Sequence, residues 1–453
     1  MLQVQTILFA LVKILIIVGF LFNVGALLTW LDRRQSAMIQ DRVGPNRALL
    51  KIGKLELRVL GLLHTAADGL KFFFKEDFVP KRADKLLFAI APILTMVPVL
   101  ALVAVIPFGD TLCLHSIRQV ADGATWWPTV PRHGVCADFG VPLQVANLDV
   151  GLLFIFAISG QGIVAAAMAG WASDNKFSLM GALRAASQMV SYEVTLGMSL
   201  IGAMMIYGTV RLEQMAVWQG DHTWGIFVQP LAFFLFFAAA VAESKRIPFD
   251  LPEAESELVS GYFTEYSGMK FGMFYFAEYM EVATSSMLLV AIFLGGWQLP
   301  FLHRDGLTIE VGTFVFHQAI PHIWVILIGF LTFFGKTLAL CFLQCFVRWS
   351  LPRFRYDQLM RLCWKFLLPL SLANIFVTGV VYLGLDAAGP ALWNGLKMAE
   401  QLSQAAIVVV INLLLLWLVV SFFKPRRGTK EIVGSAASRA EALGGTPESP
   451  MQA

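Results

Sequence analysis

Residues 7–31, ILFALVKILIIVGFLFNVGALLTWL, hold a single charged side chain, Lys13. A helix rising about 1.5 Å per residue needs about 20 apolar residues to cross roughly 30 Å of hydrocarbon. This stretch meets that length with room to spare. Similar runs recur near 86 to 107, 151 to 172, 185 to 207, 226 to 243, 277 to 297, 323 to 347, 366 to 386 and 403 to 423. The expected fold is therefore all-α: a polytopic integral membrane protein of about nine transmembrane helices. The first run is too long for a signal peptide, and it meets Asp32-Arg33-Arg34 without a small-residue cleavage site.

Composition agrees with that reading. The 453 residues are 57% hydrophobic and only 14% charged, well to the apolar side of soluble domains. Five cysteines occur without a CxxC pair, and no His or Cys cluster has metal-ligand spacing, which argues against a zinc or iron–sulfur site on this chain. The formal charge of +3 is spread along loops, so no nucleic-acid partner is expected.

Loop charge sets the orientation. Of the 34 Lys and Arg, only Arg118, Arg132, Arg211, Arg304 and Lys397 fall in the loops after the even-numbered spans, and Lys13 and Lys336 lie within spans. The remainder crowd the opposite side, which the positive-inside rule makes cytoplasmic. The N-terminus is then periplasmic and the C-terminus cytoplasmic, in a bacterial inner membrane. An outer loop at 108–150 contains Cys113 and Cys136, which can pair in an oxidising compartment. The tail at 428–453 has too little apolar material to fold and is expected to be disordered.

Between the first two spans, Leu55, Val59, Leu62, Leu63, Ala66, Leu70, Phe73 and Phe74 recur at three- and four-residue spacing. The pattern predicts an amphipathic helix over 54–77 lying in the cytoplasmic headgroup plane. Its plainest role is an interfacial anchor.

Three features are foreign to a lipid-facing span. Glu193 stands inside the fourth span and Lys336 in the middle of the seventh, where an isolated charge costs roughly 2.5–3.5 kcal/mol. Each needs a partner or a wet cavity, and each is a candidate partner for the other; a plain helix–helix hydrogen bond is the alternative for Glu193. The inner segment 243–281 carries Glu243, Asp250, Glu253, Glu255, Glu257, Glu265, Glu278 and Glu281 against Lys245, Arg246 and Lys270, interleaved with Phe249, Tyr262, Phe263 and Tyr266. An acidic stretch this aromatic is not a solvated loop, and crowded carboxylates titrate as a coupled group. That suits a proton relay or a charge-sensing chamber.

DRVGPNR at 41–47, FFKEDFVPK at 73–81, AESKRIPFDLPEAESELVSGYFTEYSG at 242–268 and LPRFRYDQLM at 351–360 together resemble one family. It is the H-subunit family of respiratory complex I, the proton-pumping NADH:quinone oxidoreductase, homologous to mitochondrial NADH dehydrogenase subunit 1. The motifs occur in family order over residues 1 to about 386. The resemblance implies a quinone, ubiquinone, as substrate, with FMN and iron–sulfur clusters held only by partner subunits. The partners it implies are the peripheral quinone-site and iron–sulfur subunits, antiporter-like and small membrane subunits, and membrane lipid. It implies no catalytic acid on this chain. Arg42, Arg47, Asp68, Lys71, Phe72, Arg246 and Phe249 become candidates for the quinone chamber. Asp32, Glu193, Glu243, Asp250, Glu253, Glu255, Glu257, Glu265, Glu278 and Lys336 become candidates for coupling to protons. Asp32 stands where the family usually has Glu.

Two other classes remain open to the residues. A membrane-bound hydrogenase-type complex would use an equivalent subunit. A stand-alone secondary transporter would explain intramembrane Glu193 and Lys336, although no repeated half with matching broken spans is visible.

Overall fold

A computed structural model of the chain describes residues 2–52, 55–57, 59–114, 136, 139–253, 255–311, 314–393 and 410. The first helices are α1 (Leu2–Ile39), α2 (Leu63–Phe74), α3 (Lys85–Val103), α4 (Gly151–Ser159) running on into α5 (Gln161–Ala172), α6 (Lys176–Tyr207), α7 (Leu212–Asp221), α8 (Gly225–Val228) and α9 (Pro230–Glu243). After these come α10 (Glu255–Leu258), α11 (Gly268–Phe293), α12 (His322–Ser350), α13 (Tyr356–Leu362) and α14 (Leu368–Trp393), with a π turn at Cys363–Leu367 before the last. Seven helices among the described residues are long and apolar enough to cross a membrane, which makes the chain a multi-pass, all-α membrane protein.

The expected count of nine is not reached on that criterion. The fifth predicted span is a helix of only 14 residues, α9, about 21 Å long at 1.5 Å per residue. Pro230 ends the helical run on its N-terminal side, since a residue before proline is pushed out of the αR region, and Gln229 sits at φ −132, ψ 61. The ninth predicted span, 403–423, and the tail 428–453 lie outside the described residues apart from Val410.

Two other boundaries differ from expectation. Residues 55–57 and 59–62 do not join the amphipathic helix: Leu55–Leu57 pairs antiparallel with Leu50–Ile52, and the α-helix begins only at Leu63. Leu55-Glu56-Leu57 alternates with the period of a strand, and the chain then turns at Gly61, φ +88, where a Cβ would lie 2.0 Å from the Pro45 carbonyl oxygen. What remains, α2, leaves Leu70, Phe73 and Phe74 exposed. The acidic inner loop is also shorter than 243–281. α11 starts at Gly268, nine residues before the predicted span, so residues 268–276 of that segment are helix and not loop. Its 18-residue apolar window is 83% buried within the protein, so protein groups, not lipid, surround its polar side chains.

α11 is the central helix, packed against α1, α3, α9 and α12. Gly25 lets α1 approach it closely: a Cβ there would stand 2.9 Å from Phe276. On the opposite end from the acidic loop, short strands β1 (Leu112–Leu114) and β2 (Phe139–Val141) pair, Cys113 is joined to Cys136 by a disulfide, and a three-stranded sheet is built from β3 (Leu302–His303), β4 (Gly306–Val311) and β5 (Phe314–Ala319).

Candidate functional site

α9 ends at Glu243 and the chain reverses through Lys245, whose φ of +57 is the left-handed conformation that terminates helices. This turn points Lys245 and Arg246 in different directions against α11. Lys245 is 1% exposed and gives its ammonium to both carboxylate oxygens of Glu281, 3.2 Å from each. Burial works against that charge, but the fields of Glu281 and Glu278 outweigh it and hold its pKa above the ordinary value.

Arg246 turns the other way. Its guanidinium lies 3.5 Å from the Tyr279 ring centroid, 3.8 Å from Glu278 and 3.7 Å from Asp32. Burial again opposes the charge, while Tyr279, Glu278 and Asp32 raise its pKa well above that of free arginine.

Asp32, toward the C-terminal end of α1, is 5% exposed. It accepts hydrogen bonds from Tyr279 Oη at 2.9 Å and Trp349 Nε1 at 2.6 Å, and pairs with Arg348. Glu278, 2% exposed, accepts from the buried Tyr262 hydroxyl at 3.2 Å. Asp32, Tyr279, Arg246, Glu278, Tyr262 and Arg348 thus form one cluster spanning α1, α11, α12 and the loop after α9.

Beyond the Lys245–Glu281 pair, Glu243, Glu281, Ser159, Thr284 and Ser285 line a cavity of about 60 Å3. That is room for several waters, in a cavity whose wall is mostly apolar apart from these groups. Ser159 Oγ donates to Glu193 Oε1 at 3.2 Å, and the close approach is helped by Gly160, whose added Cβ would stand 3.3 Å from the same oxygen. The structure therefore brings Asp32, Arg246, Glu278, Glu243 and Glu193 into one polar axis through the helix bundle.

Asp250 and Glu253 occupy the loop beside this axis. Asp250, 4% exposed, pairs with Arg353 at 2.6 Å. Burial, reinforced by the charge of Glu253, pushes its pKa up to about 7 even though Arg353 and Arg348 oppose the shift. Phe249 is buried between Tyr192 and Phe354, ring centroids 5.6 Å away on each side.

The remaining candidates sit apart. Glu257 is exposed and pairs with Arg184 at 2.6 Å, Glu255 opens the one-turn α10, and Glu265 accepts from Asn175 at 2.6 Å. Asp68 pairs with Arg33 at 2.5 Å. Lys71 is exposed, Phe72 packs toward Phe271 at 5.9 Å, and the exposed Arg42 reaches Gln40 and Ser36, with Arg47 exposed nearby. Lys336 does not meet Glu193: its ammonium caps backbone carbonyls of Leu294, Gly296 and Gln298 at 2.7, 3.2 and 2.7 Å and lies 4.5 Å from the Trp224 ring centroid. Among the described residues, no group of three or more His, Cys, Asp or Glu is arranged to hold a metal.

Tyr279, Arg348, Trp349 and Ser159 join the site without having been expected there. An Arg-Trp pair at the end of a span looks like an ordinary interfacial anchor, and Arg348 and Asp32 lie 316 positions apart.

Known proteins share this chain's sequence over most of its length. The family profile described as NADH dehydrogenase matches residues 12–379. The first of the NADH-quinone oxidoreductase H-subunits of Cytophaga hutchinsonii is 40% identical over 372 residues, covering 81% of this chain and 96% of that protein. The corresponding protein of Flavobacterium psychrophilum is 42% identical over 355 residues, 78% and 91% of the two chains. The first of those in Geobacter metallireducens is 42% identical over 369 residues, 82% and 95%. The seven apolar helices and these matches lead to one conclusion: the chain belongs to the NADH dehydrogenase family, among the H-subunits of NADH-quinone oxidoreductase.

Proposed function

We propose that the chain is a membrane component of a proton-pumping NADH:quinone oxidoreductase in a bacterial inner membrane, with its N-terminus periplasmic and its C-terminus cytoplasmic. In this reading it walls part of a chamber for ubiquinone, docks the peripheral redox arm through its inner loops, and converts quinone reduction into proton movement. Electrons arrive from partner subunits carrying FMN and iron–sulfur clusters. The names of the related proteins support the oxidoreductase assignment.

The observation that carries the coupling role is the buried axis from Asp32 and Arg246 through Glu278 and the Lys245–Glu281 pair to Glu243 and Glu193. Quinone reduction adds two electrons and takes up two protons, and each proton drawn from a neighbouring group leaves a negative charge there. Carboxylates set beside Arg246 and Lys245 respond by changing which of them holds a proton, because opposing charges in a low-dielectric site interact strongly. Arg42, Arg47, Asp68, Lys71, Phe72, Arg246 and Phe249 serve the chamber side. Asp250, Glu253, Glu255, Glu257 and Glu265 set the charge of the inner loop facing it.

The test is proton translocation by the intact complex in vesicles. Glu193→Gln and Glu243→Gln should assemble normally and reduce quinone with fewer protons moved per NADH. Full pumping in both would sink the coupling role, and co-purification with a hydrogenase module would replace the electron donor.

A further inference from the structure

Two acceptors compete for the hydroxyl of Ser159. Its Oγ lies 3.0 Å from the carbonyl oxygen of Phe156 and 3.2 Å from Oε1 of Glu193. A serine carries one hydroxyl hydrogen, so it donates to one of these at a time, and rotation about Cβ–Oγ selects which. A serine that bonds back to its own helix is common. Here the same oxygen also meets a carboxyl from the neighbouring α6, so the choice of acceptor depends on what that carboxyl holds.

The local backbone leaves both positions open. α4 ends at Ser159 and α5 begins at Gln161. The Gly160 N–H that reaches Phe156 O across this junction does so at 3.3 Å, long for a helix bond. The Phe156 carbonyl thus keeps room for a second donor. Gly160 has no side chain to hold Glu193 away: a Cβ there would stand 3.3 Å from Oε1 and 3.8 Å from Oε2. Ser159 and Phe156 also line the cavity that contains Glu243 and Glu281. Ser159 thus borders that cavity and touches Glu193 as well.

Each protonation state of Glu193 has a matching arrangement of the hydroxyl. As a carboxylate, Glu193 only accepts, and Ser159 donates to it. As an acid, it has an O–H to place; Ser159 Oγ accepts it, and the serine hydrogen turns to Phe156 O. No covalent bond of the serine breaks, and one hydrogen bond is exchanged for another. A buried polar group left unmet costs about 1–3 kcal/mol, and the exchange avoids that cost in both states.

We propose that Ser159 is a positioning residue for proton coupling: a hydroxyl rotor that satisfies Glu193 with and without its proton, so that the carboxyl changes state without a change in helix packing. Ser159 acts only through Glu193. The inference rests on the coupling role given to Glu193 above.

Infrared difference spectra of the assembled complex, taken between acid and alkaline pH, read the carboxylic C=O stretch of Glu193 as the band that Glu193→Gln removes. Ser159→Ala keeps the helix, since alanine is the best helix former, and leaves the acid O–H without its acceptor. The band should move to higher frequency, and coupled proton translocation in vesicles should slow by about tenfold, the equivalent of one hydrogen bond to a charged group. Ser159→Thr restores a hydroxyl and should bring back both the band and the pumping. A parental band and parental pumping in Ser159→Ala overturns the proposal, as does a Ser159→Thr variant no better than Ser159→Ala. The absence of any band removed by Glu193→Gln also overturns it, because the carboxyl then stays in one state. If Ser159→Ala moves the band while Glu193→Gln still pumps fully, the hydroxyl exchange stands, and its part in coupling falls with the reading on which it rests.

Discussion

Arg246 stacks over the ring of Tyr279 at 3.5 Å while the hydroxyl of that ring donates to Asp32 at 2.9 Å. One aromatic side chain therefore supports a cation with its face and an anion with its edge. A desolvated cation–π contact contributes about 2 kcal/mol, and a hydrogen bond to a charged group about 1.5–3 kcal/mol.

The two halves of that contact are separable. Tyr279→Phe keeps the ring and loses only the hydroxyl, so quinone reduction should fall by roughly tenfold at most; Tyr279→Leu loses both and should fall further. NADH:quinone reductase assays on membranes measure the difference. Equal rates in the two variants would mean that the ring face does not support Arg246.

A different signature is expected at the Lys245–Glu281 pair. Lys245 is 1% exposed, with Glu281 its ion-pair partner, and stripping one member from a buried pair costs about 3–5 kcal/mol because the other charge is left uncompensated. Glu281→Ala should lower the thermal inactivation temperature of the complex markedly. Lys245→Met combined with Glu281→Gln should recover most of the loss. Failure of the double variant to outlast the single one would show that the stability resides elsewhere.

How much of this could be seen in the chain itself depends on what surrounds each residue. Glu193 stands out because apolar neighbours in sequence make a carboxylate anomalous, and Glu243 because it opens an unusually acidic, aromatic segment; both lie on the polar axis. Tyr279 and Arg348 meet Asp32 across 247 and 316 positions, contacts that only helix packing creates. The early start of α11 was hidden for a related reason: Lys270 and Tyr275 look polar for a span, yet the helix is enclosed by others. Lys336 was visible as an oddity, but its partners are backbone carbonyls, which carry no sequence signature.

Asp250 gives a pH dependence with a definite sign. Its pKa rises from 3.8 to about 7 on folding, so the folded loop binds more protons than the unfolded chain between those values. Loop stability then falls as pH rises from about 4 to about 7, and levels off above. Hydrogen exchange across 244–267 should accelerate over that window beyond its intrinsic pH dependence, and Asp250→Asn should abolish the excess. Identical profiles in the two proteins would place the carboxyl in solvent.

At the far end of α11, the last carbonyls have no partners within the helix and must find them elsewhere. Gln219 Nε2 donates to Ala291 O at 3.0 Å, Tyr207 Oη to Ile292 O at 2.7 Å, and Lys336 to Leu294 O at 2.7 Å. A cation at this negative end of the helix dipole is favourably placed, and Gly295 and Gly296, both at positive φ, bend the chain around it. Lys336→Met should therefore free the turn 294–298, with about 1–3 kcal/mol for each carbonyl left unmet. Hydrogen exchange should quicken at 294–298 while residues 278–281, in the middle of the same helix, keep their protection. If Lys336→Met instead abolishes proton translocation with the exchange pattern unchanged, its ammonium acts in coupling and not as a cap.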